Sequence, residues 1–295
     1  MKVFLFCLIA FLAMAAAAPA VDKIRVTSFS TILTEIAQEV GGDRVAVSGL
    51  VKPGIDPHQF EPKPADLKTV GEAQLILLSA KHMEGYVGKL KEATGTKGNL
   101  VQVGDGFASL KMKSEKDPDK LIDDPHWWHS IANMKKAVMI VRDELIKISP
   151  ADQQTFTDNA AKYLARLGDL EKWVKLEVAK LPRDKRKLVT SHDAFQYFAR
   201  ENGFTIYAIE GVSSEDQPSS KKVADIIFTI KSQGVKAIFP ESIENPKVMT
   251  EITRETGVKI APELYADGLG DASSDASTYP TMYQHNVRTI VEALK

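Results

Sequence analysis

Residues 151–181 read ADQQTFTDNAAKYLARLGDLEKWVKLEVAKL, preceded by Ser149-Pro150 and closed by Pro182. Serine suits a helix N-cap and proline the first helical position, so the stretch predicts one helix of about 30 residues, well above the usual length. What lies on either side of this helix decides the fold.

On its N-terminal side, strand and helix patterns alternate. Strands are predicted at 23–29, 44–51, 74–79 and 100–103, and helices at 32–40, 64–71 and 83–93, with a further helix at 132–148. Residues 104–124 are polar, rich in Lys and Asp and without clear periodicity, and read as a mobile surface loop. Beyond Pro182 the alternation restarts, with strands at 187–190, 205–209, 237–240 and 258–261 and helices at 194–201, 219–232, 246–256 and 280–294. The expected fold is α/β: two lobes with mostly parallel sheets flanked by helices, joined by one long linking helix. The corresponding units are a signal peptide at 1–20, an N-terminal lobe at 21–150, the linking helix at 151–182 and a C-terminal lobe at 183–295.

The first residues carry Lys2, an apolar run from Val3 to Ala17 and the small residues Ala18-Pro19-Ala20. This is the pattern of a secretory signal peptide with cleavage after Ala20. Its apolar run is shorter than a membrane span needs, and Asp22 and Lys23 follow without a stop-transfer pattern. Cys7 is the only cysteine and lies inside that run, behind bulky Phe4-Leu5-Phe6, so the exported chain forms no disulfide and binds any metal through nitrogen and oxygen. With 38 basic against 39 acidic residues, the chain lacks the basic footprint of a nucleic-acid-binding protein.

Three of the six histidines share an unusual setting. His58 stands in Asp56-Pro57-His58, His126 in Asp124-Pro125-His126, and His192 between Ser191 and Asp193. His58 and His192 closely follow predicted strands, and ligands of open α/β sheets bind beyond the carboxyl ends of the strands. Asp56, Asp124 and Asp193 are at hand to take the other ring N–H of each imidazole, as a metal-bound histidine requires. A fourth ligand has several candidates: Asp267 in Tyr265-Ala266-Asp267-Gly268-Leu269-Gly270, or Glu210, Glu215 or Glu241. Spacing alone does not rank them. His82 and His285 read as structural, and Trp127, Trp128 and Trp173 as packing residues.

Four segments, taken in order, carry a resemblance: Asp56-Pro57-His58-Gln59-Phe60-Glu61-Pro62, Asp124-Pro125-His126-Trp127-Trp128, Ser191-His192-Asp193-Ala194-Phe195 and Tyr265-Ala266-Asp267-Gly268-Leu269. They resemble the metal-ligand regions of the zinc- and manganese-binding solute-binding proteins of bacterial ABC importers. The resemblance covers nearly the whole exported chain. It implies His58, His126, His192 and Asp267 as metal ligands in a cleft between lobes bridged by a rigid helix, and an inner-membrane ABC permease as partner. His126 is followed by Trp127-Trp128-His129-Ser130-Ile131, where many relatives carry an aspartate and a proline, so His129 enters as a rival or auxiliary ligand. The histidine-rich loop of zinc-selective members is missing from 104–124.

Three imidazoles and one carboxylate accommodate Zn²⁺ in a four-coordinate arrangement, whereas Mg²⁺ and Ca²⁺ prefer all-oxygen shells. Mn²⁺ binds such donors more weakly. In the resembled family manganese binders commonly carry glutamate in place of the third histidine, so His192 tilts the expectation to zinc. Four protein ligands leave no open position for catalysis, against a zinc hydrolase using Glu61, Glu210 or Glu241 as general base. The sequence therefore leads to the expectation of a monomeric, non-enzymatic periplasmic protein that captures Zn²⁺, or alternatively Mn²⁺, for import.

Overall fold

The computed structural model describes residues 22–114, 119–213, 218–241 and 247–295. The signal peptide with its cleavage after Ala20, and Glu215, lie outside these residues.

The first lobe runs β1 (Ile24–Ser28), α1 (Thr31–Gly41), β2 (Val45–Gly49), α2 (Pro64–Glu72), β3 (Leu75–Leu78), α3 (Val87–Thr94) and β4 (Asn99–Gln102). A hairpin of β5 (Lys111–Lys113) and β6 (Leu121–Asp123) and then α4 (Ile131–Ile148) follow. After the long α5 (Gln153–Ala179), the second lobe runs β7 (Lys187–Thr190), α6 (Gln196–Asn202), β8 (Thr205–Ala208), α7 (Ser220–Gln233), β9 (Ala237–Phe239), α8 (Lys247–Thr256), β10 (Lys259–Ile260) and α9 (Tyr279–Leu294). The four-stranded sheets are parallel, ordered β2-β1-β3-β4 and β8-β7-β9-β10. Counted within its lobe, each has the same order, and each reverses direction between its first and third strands. That reversal opens a crevice at the carboxyl ends of the strands.

Helix α5 is long because its apolar positions never lose the helical period. Phe156, Ala160, Tyr163, Leu167, Leu170, Val174 and Val178 recur every three or four residues and are all buried. Each large side chain buried in this way contributes roughly 1.5–3 kcal/mol. The stripe packs against α1, α4 and α9, so one contiguous core runs from Val26 and Leu33 through Leu167 to Leu188, Phe239 and Val291. Among the described residues no helix is long and apolar enough to cross a membrane.

Two expectations need correction. The helix expected from Met83 starts at Val87, because the chain leaves β3 through a left-handed turn at Ala80, Lys81 and His82 (φ 71°, 55° and 70°). The carboxylate of Glu84 holds this turn by accepting the N–H groups of Ser79 (2.7 Å) and Ala80 (3.0 Å). Within the expected surface loop at 104–124, the hairpin β5–β6 is antiparallel and buries its own Met112. Tyr197 of the second lobe fastens it: its hydroxyl accepts from Leu110 N (3.1 Å) and donates to Asp124 O (3.2 Å). The hairpin thus delivers Asp124-Pro125-His126 to the interface between the lobes.

Candidate metal centre

The repeated Asp-Pro-His tripeptide has a local structural reason. In each copy the aspartate accepts the backbone N–H two residues on: Asp56 Oδ1 from His58 (2.8 Å) and Asp124 Oδ1 from His126 (2.9 Å). Each is a compact side-chain-closed turn in which proline supplies the intervening residue. Asp56 Oδ2 also accepts Gln59 Nε2 (3.1 Å), and Asp124 Oδ1 accepts His126 Nδ1–H (2.9 Å).

His192 is placed by strand pairing. Thr190 of β7 and Phe239 of β9 are register partners, so His192 and Glu241, each two residues further on, meet at the crevice. There His192 Nδ1 and the Glu241 carboxylate form a hydrogen bond. The expected partner, Asp193, turns away and accepts Gln196 Nε2 (2.6 Å), because Gln196 opens α6 on the far side of the loop. With their Nδ1 hydrogens given to carboxylates, His126 and His192 turn Nε2 toward the interior.

Asp267 follows a segment tied down on all sides. Asn286 of α9 exchanges two hydrogen bonds with the backbone of Tyr265 (2.9 and 2.8 Å). The carbonyl of Ala266 accepts Trp128 Nε1 (2.7 Å) and His129 Nε2 (2.8 Å), and Leu269 N donates to Thr31 Oγ1 (2.9 Å). Gly268 makes the last contact possible, since a Cβ there would lie 2.7 Å from Thr31 Oγ1.

These supports bring His58, His126, His192 and Asp267 together, with one donor atom of each within 4.8 Å of all the others. His126 Nε2 lies 3.2 Å from His58 Nε2 and 3.3 Å from His192 Nε2. Asp267 Oδ1 is 3.6 Å from His58 Nε2 and 3.5 Å from His126 Nε2, and Oδ2 is 3.5 Å from His192 Nε2. A tetrahedron built on bonds of about 2.0–2.2 Å has edges of about 3.3–3.6 Å, so this spacing fits a single cation among the donors. Asp267 Oδ1 is also buried with no hydrogen-bond donor at bonding distance, a costly state that a cation relieves. The side chains of His126 and His192 are 0 % and 1 % exposed, those of Asp267 and His58 8 % and 10 %. A cavity of about 200 Å³ lined in part by Pro53, Ile55, Tyr265 and Asp267 reaches the cluster from the Asp267 side.

Burial sets the protonation states. It drives His126 well below the imidazole range and lifts the Asp124 carboxyl to about 7. Burial also opposes charge on His192 and Asp267, but the carboxylates of Glu241 and Asp267 raise His192 well above its usual value. His192 and His58 in turn hold Asp267 well below the usual carboxylate range. A buried carboxylate facing an imidazole that readily accepts positive charge is an environment built for a cation.

His129, the expected rival or auxiliary ligand, is not a member of the cluster and is buried. It is 1 % exposed, its ring lies 4.4 Å from that of Phe195, and burial pushes its pKa down to about 3. Glu210 and Glu241 are likewise outside the cluster. His285 is pinned between Asp275 (2.9 Å) and the carbonyl of Glu263 (3.0 Å), a structural role as expected, and His82 sits exposed in the left-handed turn. Sequence reasoning missed the pairing of Glu241 with His192 and the donor role of Trp128. The hydrophobic strand before Glu241 carried the only signal for the first, placing an acid at a strand's carboxyl end.

A model of the family described as zinc-uptake complex component A, periplasmic, matches residues 26–293. The chain belongs to this family. It is 32 % identical over 269 residues to the manganese-binding lipoprotein MntA of Halalkalibacterium halodurans, covering 91 % of this chain and 87 % of that protein. It is 31 % identical over 279 residues to the manganese-binding lipoprotein MntA of Bacillus subtilis, covering 93 % and 90 %. The structure of the periplasmic zinc-binding protein TroA from Treponema pallidum superposes with a TM-score of 0.86 at 29 % identity, over 92 % of this chain and 99 % of that one. The protein is therefore a metal-binding component of a bacterial ABC transporter, periplasmic or lipoprotein in location, with the family and fold of non-catalytic solute-binding proteins.

Proposed function

We propose that His58, His126, His192 and Asp267 capture one divalent transition-metal ion as transport cargo, and that the protein, as an exported monomer freed by cleavage after Ala20, hands it to a membrane permease. The observation that carries this reading is the convergence of three imidazole Nε2 atoms and one carboxylate at 3.2–3.6 Å. Manganese is the cargo we favour. Of the three relatives above 30 % identity, the two MntA proteins bear manganese in their names and TroA of Treponema pallidum bears zinc, and Asp267 turns both oxygens toward the imidazoles, so it can supply two donors to a fuller coordination sphere. The donor set supports zinc as the second reading, since three imidazoles and a carboxylate in four-coordination suit Zn²⁺ and bind it more tightly.

Elemental analysis of the protein from its native compartment, beside His58→Ala, His126→Ala, His192→Ala and Asp267→Ala, tests both. One ion per wild-type chain and substoichiometric metal in the variants is expected. Full occupancy in the variants would overturn the ligand assignment, and zinc in place of manganese would reverse the choice of cargo.

A further inference from the structure

The short turn Trp127–His129 follows His126 directly, and its two last side chains converge on one backbone atom. We propose that Trp128 and His129 are positioning residues that hold Asp267 in its binding pose through the carbonyl of Ala266, and so set the rate at which the metal leaves. The proposal rests on the capture reading above.

Trp128 Nε1 and His129 Nε2 donate to the same oxygen, at 2.7 and 2.8 Å. Two donors on one carbonyl fix both the position and the tilt of its peptide plane, and that plane is where the backbone of Asp267 begins. The donors are themselves immobilised. Tyr279 and Tyr283 of α9 donate their hydroxyls to the carbonyls of Trp128 (2.6 Å) and His129 (2.9 Å), and Phe195 packs on the imidazole. Ala266, Trp128, His129, Tyr279 and Tyr283 are all at most 3 % exposed. Water is therefore not on hand to replace a broken bond, which makes each one costly to lose.

The arrangement joins a ligand from each lobe. His126 lies within three residues of both donors, and Asp267 is the residue after their acceptor. For the ion to leave, Asp267 must withdraw from the three imidazoles, and withdrawal pulls the Ala266 carbonyl off its two donors. His129 with its Nε2–H committed to Ala266 has no lone pair there for a metal, so it acts on the ion only through Asp267. Removing either donor lowers the barrier to departure while leaving the donor set and the entrance beside Ile55 unchanged.

The test is stopped-flow release of Zn²⁺ into excess chromophoric chelator from the exported chain and from His129→Phe, Trp128→Phe and His129→Gln, with Zn²⁺ association rates and Co²⁺ absorption spectra of each. His129→Phe and Trp128→Phe are expected to raise the dissociation rate at least about tenfold, with association within about twofold. His129→Gln keeps an N–H donor and is expected to stay within about threefold of wild type. The Co²⁺ spectrum should be the same in all four proteins, because the ligands are the same. Release at the wild-type rate from both donor-deleted variants would overturn the proposal, as would a changed Co²⁺ spectrum in the His129 variants, which would make His129 a ligand. Should His129→Phe fail to fold, Trp128→Phe and the rescue by His129→Gln carry the same decision. Failure of the wild-type protein to take up Zn²⁺ or Co²⁺ at all would sink the capture reading instead.

Discussion

Glu241 does for His192 what Asp124 does for His126: each carboxylate takes Nδ1–H, fixes the ring and makes Nε2 a better donor. Neutralising one partner keeps the shape and removes the charge. Glu241→Gln is therefore expected to weaken metal affinity about 10–100-fold while the protein stays folded. Competition against a chelator of known affinity measures it, and an unchanged affinity would mean that Glu241 only fills space. The contrast between the two carboxylates also marks what a sequence can reveal. Asp124 sits two residues from its histidine in a turn with a local signature. Glu241 lies 49 positions from His192 and reaches it only because β7 and β9 pair in register, a non-local event that neither segment specifies by itself. The adjacent acid, Asp193, was the natural candidate and points elsewhere. His129 was illegible for the same kind of reason, since a histidine near a helix start looks like surface until α6 brings Phe195 over it.

Among the elements, α1, α5 and α9 meet at one buried carboxylate. Glu35 accepts the hydroxyl of Tyr163 (2.7 Å) from the linking helix and the N–H of Tyr279 (2.6 Å) at the start of α9. Burial outweighs these donors and raises its pKa from 4.5 to about 7. In the unfolded chain Glu35 ionises near 4.5, while in the folded protein it keeps its proton to about 7. Between those values the native state holds more protons, so stability falls as pH rises, and above about 7 the loss is complete. Urea unfolding at pH 5 and pH 8 should show a smaller difference for Glu35→Gln than for wild type, by up to about 3 kcal/mol. An identical pH dependence would show that the carboxyl is ionised at no cost. At this scale most elements could be read from the chain, because buried parallel strands such as Leu75–Leu78 are continuous apolar runs between turn residues. The late start of α3 could not, since the left-handed turn depends on where one carboxylate lands. Strands of three residues, as in β5 and β6, are too short to display a period.

Over the whole molecule, the two lobes share one core through α5 and α9, so they should unfold together. A metal that binds only the folded form adds about 2.7 kcal/mol at a hundredfold excess over its Kd, which corresponds to a rise in Tm of roughly 5 °C for a chain of this size. Calorimetry is expected to show one transition that a chelator moves down by that amount. Two separate transitions, or a Tm indifferent to the chelator, would contradict the shared core or the capture site respectively. The unequal exposure of the four ligands has a consequence of another kind. An ion arrives wearing a shell of waters, and His126 and His192, at 0 % and 1 % exposed, have no room for it. At the proposed site it is expected to meet Asp267, which lines the cavity, and the partly exposed His58 first, and to shed waters there before it drops into the interior. Loading is then expected to be paced by how quickly the ion exchanges its water, so a sluggish exchanger such as Ni²⁺ should load more slowly than Mn²⁺ despite its higher place in the affinity series. A site built this way would sort metals by time as well as by strength.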